Sequence, residues 1–403
     1  MSHRPIDVIA AGHICLDVIP ELTSRHRTAE DLFTPGVLTQ VGPAKLALGG
    51  SVANAGLALH RLGAKTRLVG KVGDDLLGSA ILDALRQVDS ALADEMIVSA
   101  GEPTSYTIVL SPPSVDRGFL HCPGTNDTFT AADLKNVPWR DTRIVHFGYP
   151  PLMRGTFADE GVGLAAAFAQ AQEAGALVSL DMATPHPDTT NWRRWLQNVL
   201  PHVDLFLPSL DEILFMLDPL RDESAKRVPP PLPLEANPDL LTEIAAELHE
   251  LGAPIVVLKL GDQGLYLSTK NKLTSLAKRA TWHEFRWRDW EQRQLLAPCF
   301  KVDVAGTTGS GDCTIAGFLW ALIKGASPEQ AMRWATAVGA HSVESADATS
   351  NIPASSQVES RLRSSWAQRP LALALPEWKH CAKRGVFVGP DDATATHPSA
   401  IEA

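Results

Sequence analysis

A carboxylate follows directly on a glycine-rich turn in Val304-Ala305-Gly306-Thr307-Thr308-Gly309-Ser310-Gly311-Asp312. Glycine lets the backbone approach a ligand closely, and the first N–H groups of a helix lack internal partners and carry partial positive charge. Such a turn suits an anion, phosphate above all. An acid at its mouth would repel that phosphate unless its task is to take a proton from a hydroxyl nucleophile while the amides stabilise the group in flight. Phosphoryl transfer to an alcohol needs both parts. The competing reading makes Asp312 a plain helix cap, and the turn alone does not separate the two. Two other phosphate motifs fail. Gly306 and Gly311 have Walker A spacing, but Asp312 stands where that motif needs Lys, and Thr314 stands where the dinucleotide fingerprint begun by Gly309 and Gly311 needs its third glycine.

Positioning that turn takes a strand before it and a helix after it. Cys299 to Val304 alternates like a strand, and Ile315, Ala316, Phe318, Leu319 and Leu322 recur at helical spacing. A second glycine junction lies in the N-terminal half, where Gly49-Gly50 leads into a helix starting at Ser51. Val52, Ala55, Leu59 and Leu62 make its apolar stripe, and Asn54 sits in its first turn, either facing a ligand or serving as a local turn amide. Ile6 to Pro20 reads as a buried first strand that delivers Asp17 to its carboxyl end, the edge where open α/β sheets bind ligands.

Leu76 to Val88 has helical spacing, while 105–111 and 118–122 alternate like strands with one solvated face. With parts of 13–48, segments within 100–125 make a small sheet outside the main one, an arrangement that serves as a lid. From residue 130 onward strands (142–147, 177–181, 203–208, 255–260) alternate with helices (161–175, 192–200, 240–251, 328–343), which implies a parallel sheet. Ser209 is a candidate N-cap with Glu212 at the capping-box position. The proline-rich 221–238 is a loop excursion, and within an insertion at 272–298 the Trp- and Arg-rich stretch 278–293 reads as a surface hairpin. One domain over 1–380 and a polar, disordered tail over 381–403 are expected.

The 403 residues are 45% hydrophobic and 20% charged, enough for a large core. A net charge of −10 argues against nucleic acid as a partner. No apolar run is long enough for a membrane helix or a signal peptide, so no membrane contact and a cytoplasmic location are expected. Five cysteines, odd in number and without a C-x-x-C pair, suggest neither a disulfide frame nor a zinc site.

With both glycine junctions in place, the chain resembles the PfkB carbohydrate kinase family, also called the ribokinase family, over residues 5 to 355. Gly49-Gly50-Ser51-Val52-Ala53-Asn54-Ala55 with Arg61-Leu62-Gly63 is similar to the family's N-terminal signature, and Thr307 to Asp312 with Gly317-Phe318 to its C-terminal one. The resemblance implies a ribokinase-like, Rossmann-type three-layer α/β core with a mostly parallel sheet and a small β-sheet lid. It implies ATP and Mg2+, and a sugar or nucleoside hydroxyl as acceptor. Carried over, Asp312 is the catalytic base, and the backbone of Gly309, Ser310 and Gly311 forms the anion hole. Asp17, Gly49, Gly50 and Asn54 hold the acceptor; Ser209, Lys259, Gly261, Gly264 and Thr308 serve ATP; Glu212 organises magnesium. A homodimer through the lid is compatible with it. The chain departs from the family pattern at Ser209, where an Asn is usual, at Lys259, where Thr is usual, and at Gly306, where an acid that helps hold a monovalent cation is usual. Asp347 is the acid that would have to replace it. Three functions stay open: a sugar kinase first, then a nucleoside kinase, then a non-catalytic ligand sensor on the same fold.

Overall fold

Strands apolar on both faces can be buried only by helices on both sides. Ile255-Val256-Val257-Leu258 and Leu177-Val178-Ser179-Leu180 are such segments, and every one of these residues is buried. The computed structural model describes residues 5–23, 29–112, 118–184, 191–217, 237–279, 281–345 and 347–395. In it these strands lie in a ten-stranded sheet with order Lys379–Cys381, Val386–Val388, Gln294–Ala297, Leu265–Thr269, Ile255–Lys259, Leu205–Phe206, Leu177–Asp181, Thr142–Gly148, Ile6–Gly12 and Thr66–Val69. The last six run parallel and the first four pair antiparallel, closing one edge.

Val178, Val256 and Leu258 point to one side, where Phe168, Trp195, Ile213 and Leu248 come from four helices, Val162–Glu173, Trp192–Val199, Leu210–Leu217 and Pro238–Glu250. Leu177, Ile255 and Val257 point to the other, against Leu59, Phe318 and Val338 of Ser51–Arg61, Ser310–Ile323 and Pro328–Val343. The parallel strands end on the edge where Gly12, Gly148, Asp181 and Lys259 sit. Among the described residues no helix is long and apolar enough to cross a membrane.

A separate four-stranded sheet has order Ala44–Gly49, Cys15–Pro20, Tyr106–Leu110, Gly118–Cys122. The single first strand expected over Ile6 to Pro20 is therefore two. The main-sheet strand stops at Gly12, and the chain re-enters as a strand of the small sheet, so Asp17 reaches the site from that sheet and not from the core.

Three further expectations change. Cys299 to Val304 is not a strand: Phe300 makes one antiparallel bridge to Gln368, and Val304 is exposed. The Trp-rich stretch is no surface hairpin, since Trp282, Trp287 and Trp290 are buried and pack edge-on or tilted on one another and on Phe318. The residues 381–395 of the expected tail are ordered into the sheet edge, where Asp392 accepts from buried Arg293 at 2.9 Å. Most of the 221–238 excursion and residues 396–403 lie outside the described residues.

Candidate active site

Both glycine junctions become helix starts without a side-chain cap. Asp75, Asn191, Asn237 and Ser327 cap other helices through their side chains, but Gly50 and Gly309 bring no side-chain cap to Ser51–Arg61 and Ser310–Ile323, where Val52 N and Ser310 N donate to the His13 and Thr307 carbonyls instead. Gly309 has φ 67°, and a Cβ there would fall 2.4 Å from the Ala348 Cβ and 2.9 Å from Asn54 Nδ2, so only glycine fits. The turn is held by Ala305 N and Gly306 N donating to Val343 O, and by Ser310 Oγ donating to Thr307 O at 2.9 Å. The two helices pack side by side, which brings Asn54 to Asp312.

Asp312 is fully buried. Its Oδ2 accepts from Asn54 Nδ2 at 2.9 Å and from the Tyr149 hydroxyl at 2.7 Å, while Oδ1 has no hydrogen-bond partner. Burial raises its carboxyl above the usual range, and the Tyr149 and Asn54 bonds, the Lys259 charge and the Ser51 hydroxyl pull it part of the way back. A carboxylate with one oxygen anchored, the other without a partner and its proton affinity raised has the properties of a general base.

Lys259 closes the end of its strand and donates from Nζ to Asp181 Oδ1 at 2.6 Å. Burial pulls the ammonium down, but Asp181, Glu212 and Asp312 outweigh it and hold it above the ordinary lysine value. Asp181 is raised by burial, against the pull of Lys259 and with the help of Glu212 and Asp312. Glu212 Oε2 accepts from Ser209 N at 2.8 Å, one arm of the expected capping box. Three acids thus share one ammonium, an excess of negative charge that a further cation or a proton would relieve. No three His, Cys, Asp or Glu among the described residues form a complete metal cage. Magnesium brought with a nucleotide needs only one or two carboxylates besides phosphate oxygens and water, and Asp181 Oδ2, buried without a partner, and Glu212 fit that need.

Two cavities flank the turn, and Thr307 lines both. One, of 560 Å³, is lined by Ser209, Lys259 and Ser310, by Gly261, Gly264 and Gly311, and by apolar Leu265, Phe300 and Val304. The other, of 400 Å³, is bounded by Asp17, Lys45, Asn54, Thr308 and Asp347. Thr308, expected on the nucleotide side, lines this second cavity instead. Asp17 Oδ1 accepts from Cys15 Sγ at 3.4 Å, and burial lifts the carboxyl to about 6 against the Cys15 and Thr107 bonds. A Cβ on Gly49 would fall 2.4 Å from that carboxylate, which explains the glycine. A Cβ on Gly50, which has φ 85°, would fall 2.6 Å from the His13 carbonyl oxygen, so this position needs glycine as well. Lys45 Nζ donates to Asp347 Oδ2 at 2.5 Å, so an ion pair joins the small sheet to the loop after Pro328–Val343 across this cavity.

The structure thus brings Asp312, Gly309, Ser310, Gly311, Asn54 and Asp17 together, with Ser209, Lys259, Gly261, Gly264 and Glu212 on the far side of the turn. Sequence reasoning missed Tyr149, Asp181 and Lys45. Tyr149 has φ 64° and follows a strand at the ligand edge just before Pro150-Pro151, a signal readable once that strand is placed.

A model of the pfkB family carbohydrate kinases matches residues 7–355. The 5-dehydro-2-deoxygluconokinase of Geobacillus thermodenitrificans is 23% identical, covering 92% of this chain and 97% of its own. The ribokinase of Bacillus subtilis is 24% identical, over 88% and 99%. The structure of Arabidopsis thaliana ribokinase complexed with ribose and ATP superposes with a TM-score of 0.66 at 21% identity, over 89% of this chain and 99% of that one.

Proposed function

The chain belongs to the pfkB family of carbohydrate kinases, and from that premise we propose that it transfers the γ-phosphoryl group of ATP to a hydroxyl of a sugar or sugar derivative, with Asp312 as general base. The observation that carries this is the buried Asp312, one oxygen anchored and one without a partner, beside a helix start that has no side-chain cap and lies between two cavities. The 560 Å³ cavity takes ATP, and its triphosphate runs to the amides of Gly309 to Asp312. The 400 Å³ cavity takes the acceptor, held by Asp17 and Asn54 beside the Gly49-Gly50 junction. The acceptor hydroxyl loses its proton to Asp312 Oδ1 as its oxygen bonds to the γ-phosphorus. The bond from that phosphorus to the β-γ bridging oxygen breaks, and ADP leaves. Glu212 and Asp181 would hold magnesium, which would offset charge on the phosphate oxygens. Lys259 orients the phosphate end of the nucleotide as a fixed positive charge.

A sugar is favoured over a nucleoside because no aromatic side chain lines the acceptor cavity among the described residues, and a nucleobase gains most from stacking. Exposed Phe33, Leu38, Leu46, Phe119 and Leu120 on and beside the small sheet support a homodimer through that lid, which sedimentation velocity would test, a monomer at every concentration refuting it. The cytoplasm, where ATP and sugars meet, is the proposed location. The function itself is tested by ADP formation across a panel of sugars, sugar acids and nucleosides, with the products identified by mass. Turnover of a nucleoside alone would move the reading to a nucleoside kinase, and binding without turnover of anything would move it to a sensor.

A further inference from the structure

The family match ends at residue 355, yet the chain goes on to build part of the larger cavity. Residues 366–372 lie along 299–301. Lys301 N donates to Ala367 O and Arg369 N to Cys299 O, each at 2.8 Å, and the Trp366 ring stacks on Phe300 with centroids 4.3 Å apart. Arg361 lies 3.8 Å over the other partner of that stack, Trp366. Ala372 N donates to Gln263 Oε1 at 2.6 Å, tying the same segment to the Gly261–Gly264 turn. This anchoring places Arg369 on the cavity wall, where its Nη2 donates to Asp262 Oδ2 at 2.9 Å. Both side chains keep about half their surface, at 41% and 56% exposure. A pair this exposed contributes little to stability, and its partners can exchange with a ligand at small cost.

We propose that Arg369 and Asp262 read the base edge of the bound nucleotide and select adenine over guanine. The inference rests on the reading of this cavity as the nucleotide site. Lys259 and Gly311 lie against each other at the glycine turn, whereas the Arg369 backbone bonds to Cys299 beside Phe300 and Asp262 sits in the turn that leads into Leu265, and these apolar residues suit a base. Together they present a donor beside an acceptor. Adenine offers N7, an acceptor, beside N6–H₂, a donor, so Arg369 pairs with the first and Asp262 with the second. Guanine offers N7 and O6, two acceptors, and sets O6 against the Asp262 carboxylate. The selecting residues come from two sources, a turn within the family match and a segment beyond it.

The test is direct binding of ADP and GDP to the full chain by calorimetry, which needs no acceptor and so stays readable whatever the acceptor proves to be. The parent is expected to favour ADP at least about tenfold. Asp262→Asn, on an exposed turn, is expected to shrink that preference at least about fivefold, and Arg369→Ala to weaken ADP at least about fivefold while the acceptor KM stays unchanged. Should Arg369→Ala lower Tm by loosening its segment, the proposal stands or falls on Asp262→Asn alone. A parent that binds ADP and GDP equally, or an Asp262→Asn protein with the parent's preference, overturns the proposal. A parent that binds neither overturns the nucleotide reading on which it rests.

Discussion

Replacing Asp312 with Asn separates its proposed role as base from its role as an anchor. Asn has the same shape, and its amide oxygen can take the place of Oδ2, keeping the bonds from Asn54 at 2.9 Å and from Tyr149 at 2.7 Å. The amide nitrogen then stands where Oδ1 has no partner, so no existing bond is broken. Two charge-assisted bonds of about 1.5–3 kcal/mol become neutral bonds of about 1 kcal/mol each. Against that loss, the cost of burying a charge, the same cost that raises the carboxyl, disappears. The terms oppose one another, so unfolding free energy should change by less than the about 1–4 kcal/mol that the weakened bonds alone would cost. Catalysis has no such compensation, because an amide cannot accept the hydroxyl proton, and kcat should fall by roughly 10²-fold or more with the ATP KM within about threefold. The parent's kcat should fall as pH drops through the raised Asp312 value, since the base works only when ionised, and the variant should show no such limb. Steady-state ADP release from pH 5 to 9, with a melting curve for each protein, measures all three. A kcat within a few-fold of the parent would remove Asp312 as the base and leave it a helix-start anchor.

Tyr149→Phe removes the strongest of the hydrogen bonds that favour the ionised Asp312, so the acid limb of kcat should move to higher pH; an unmoved limb would mean that the hydroxyl does not tune the base. Asp17→Asn should raise the acceptor KM at least about tenfold and leave the ATP KM within about twofold, and the reverse order would sink the assignment of the two cavities. The same variant should be the more stable protein above pH 6 by about 1–3 kcal/mol: with a folded value of about 6 against about 3.9 unfolded, ionised Asp17 costs stability above pH 6 and nothing below pH 4, so the gap in Tm should open between those limits. Potassium should change activity less than about twofold at constant ionic strength, because Gly306 offers no carboxylate and Asp347 is occupied by Lys45. A strong potassium response lost in Asp347→Ala would show that Asp347 serves a cation after all.

Elements bounded by local chemistry were legible from the chain alone. The helices 76–88 and 328–343 match the expected spans to the residue, because Asp75 caps one and Ser327-Pro328 with Gln330 caps the other through contacts within one turn. Boundaries drawn by distant partners were not. The stretch from Ile6 to Pro20 is interrupted only by Gly12-His13, and the pairing of Cys15–Pro20 with Ala44–Gly49 and Tyr106–Leu110 is what pulls its second half out of the main sheet. Cys299 to Val304 alternates because Phe300 stacks on Trp366 while Val304 stays exposed, and no sheet is involved. The Trp-rich stretch looked superficial because its arginines are charged, yet the Arg143 guanidinium lies 4.8 Å over the buried Trp282 ring and Arg279 bridges to Asp204.

The same division runs through the site. The proposed anion hole could be named from the chain because it would rest on backbone amides, and glycine marks a backbone that must come close. The groups that set its electrostatics act as pairs: Lys259 with Asp181, 78 positions apart; Lys45 with Asp347, 302 apart; Tyr149 with Asp312, 163 apart. Each member alone is an ordinary residue type, and nothing near it in the chain marks it. The ordered C-terminus follows the same logic. Asp392 reads as one acid in a polar tail, but a buried carboxylate is tolerated where its charge is matched, and Arg293 matches it while donating at 2.7 Å to Glu329, which also accepts from Arg384 at 2.9 Å. Removing Arg293 would leave two buried acids facing one part-exposed arginine. The Val386–Val388 strand follows directly on Gly385, whose carbonyl accepts from Gln368 Nε2 at 2.8 Å beside Arg369, so ordering a tail that composition marks as disordered also supports the wall of the larger cavity.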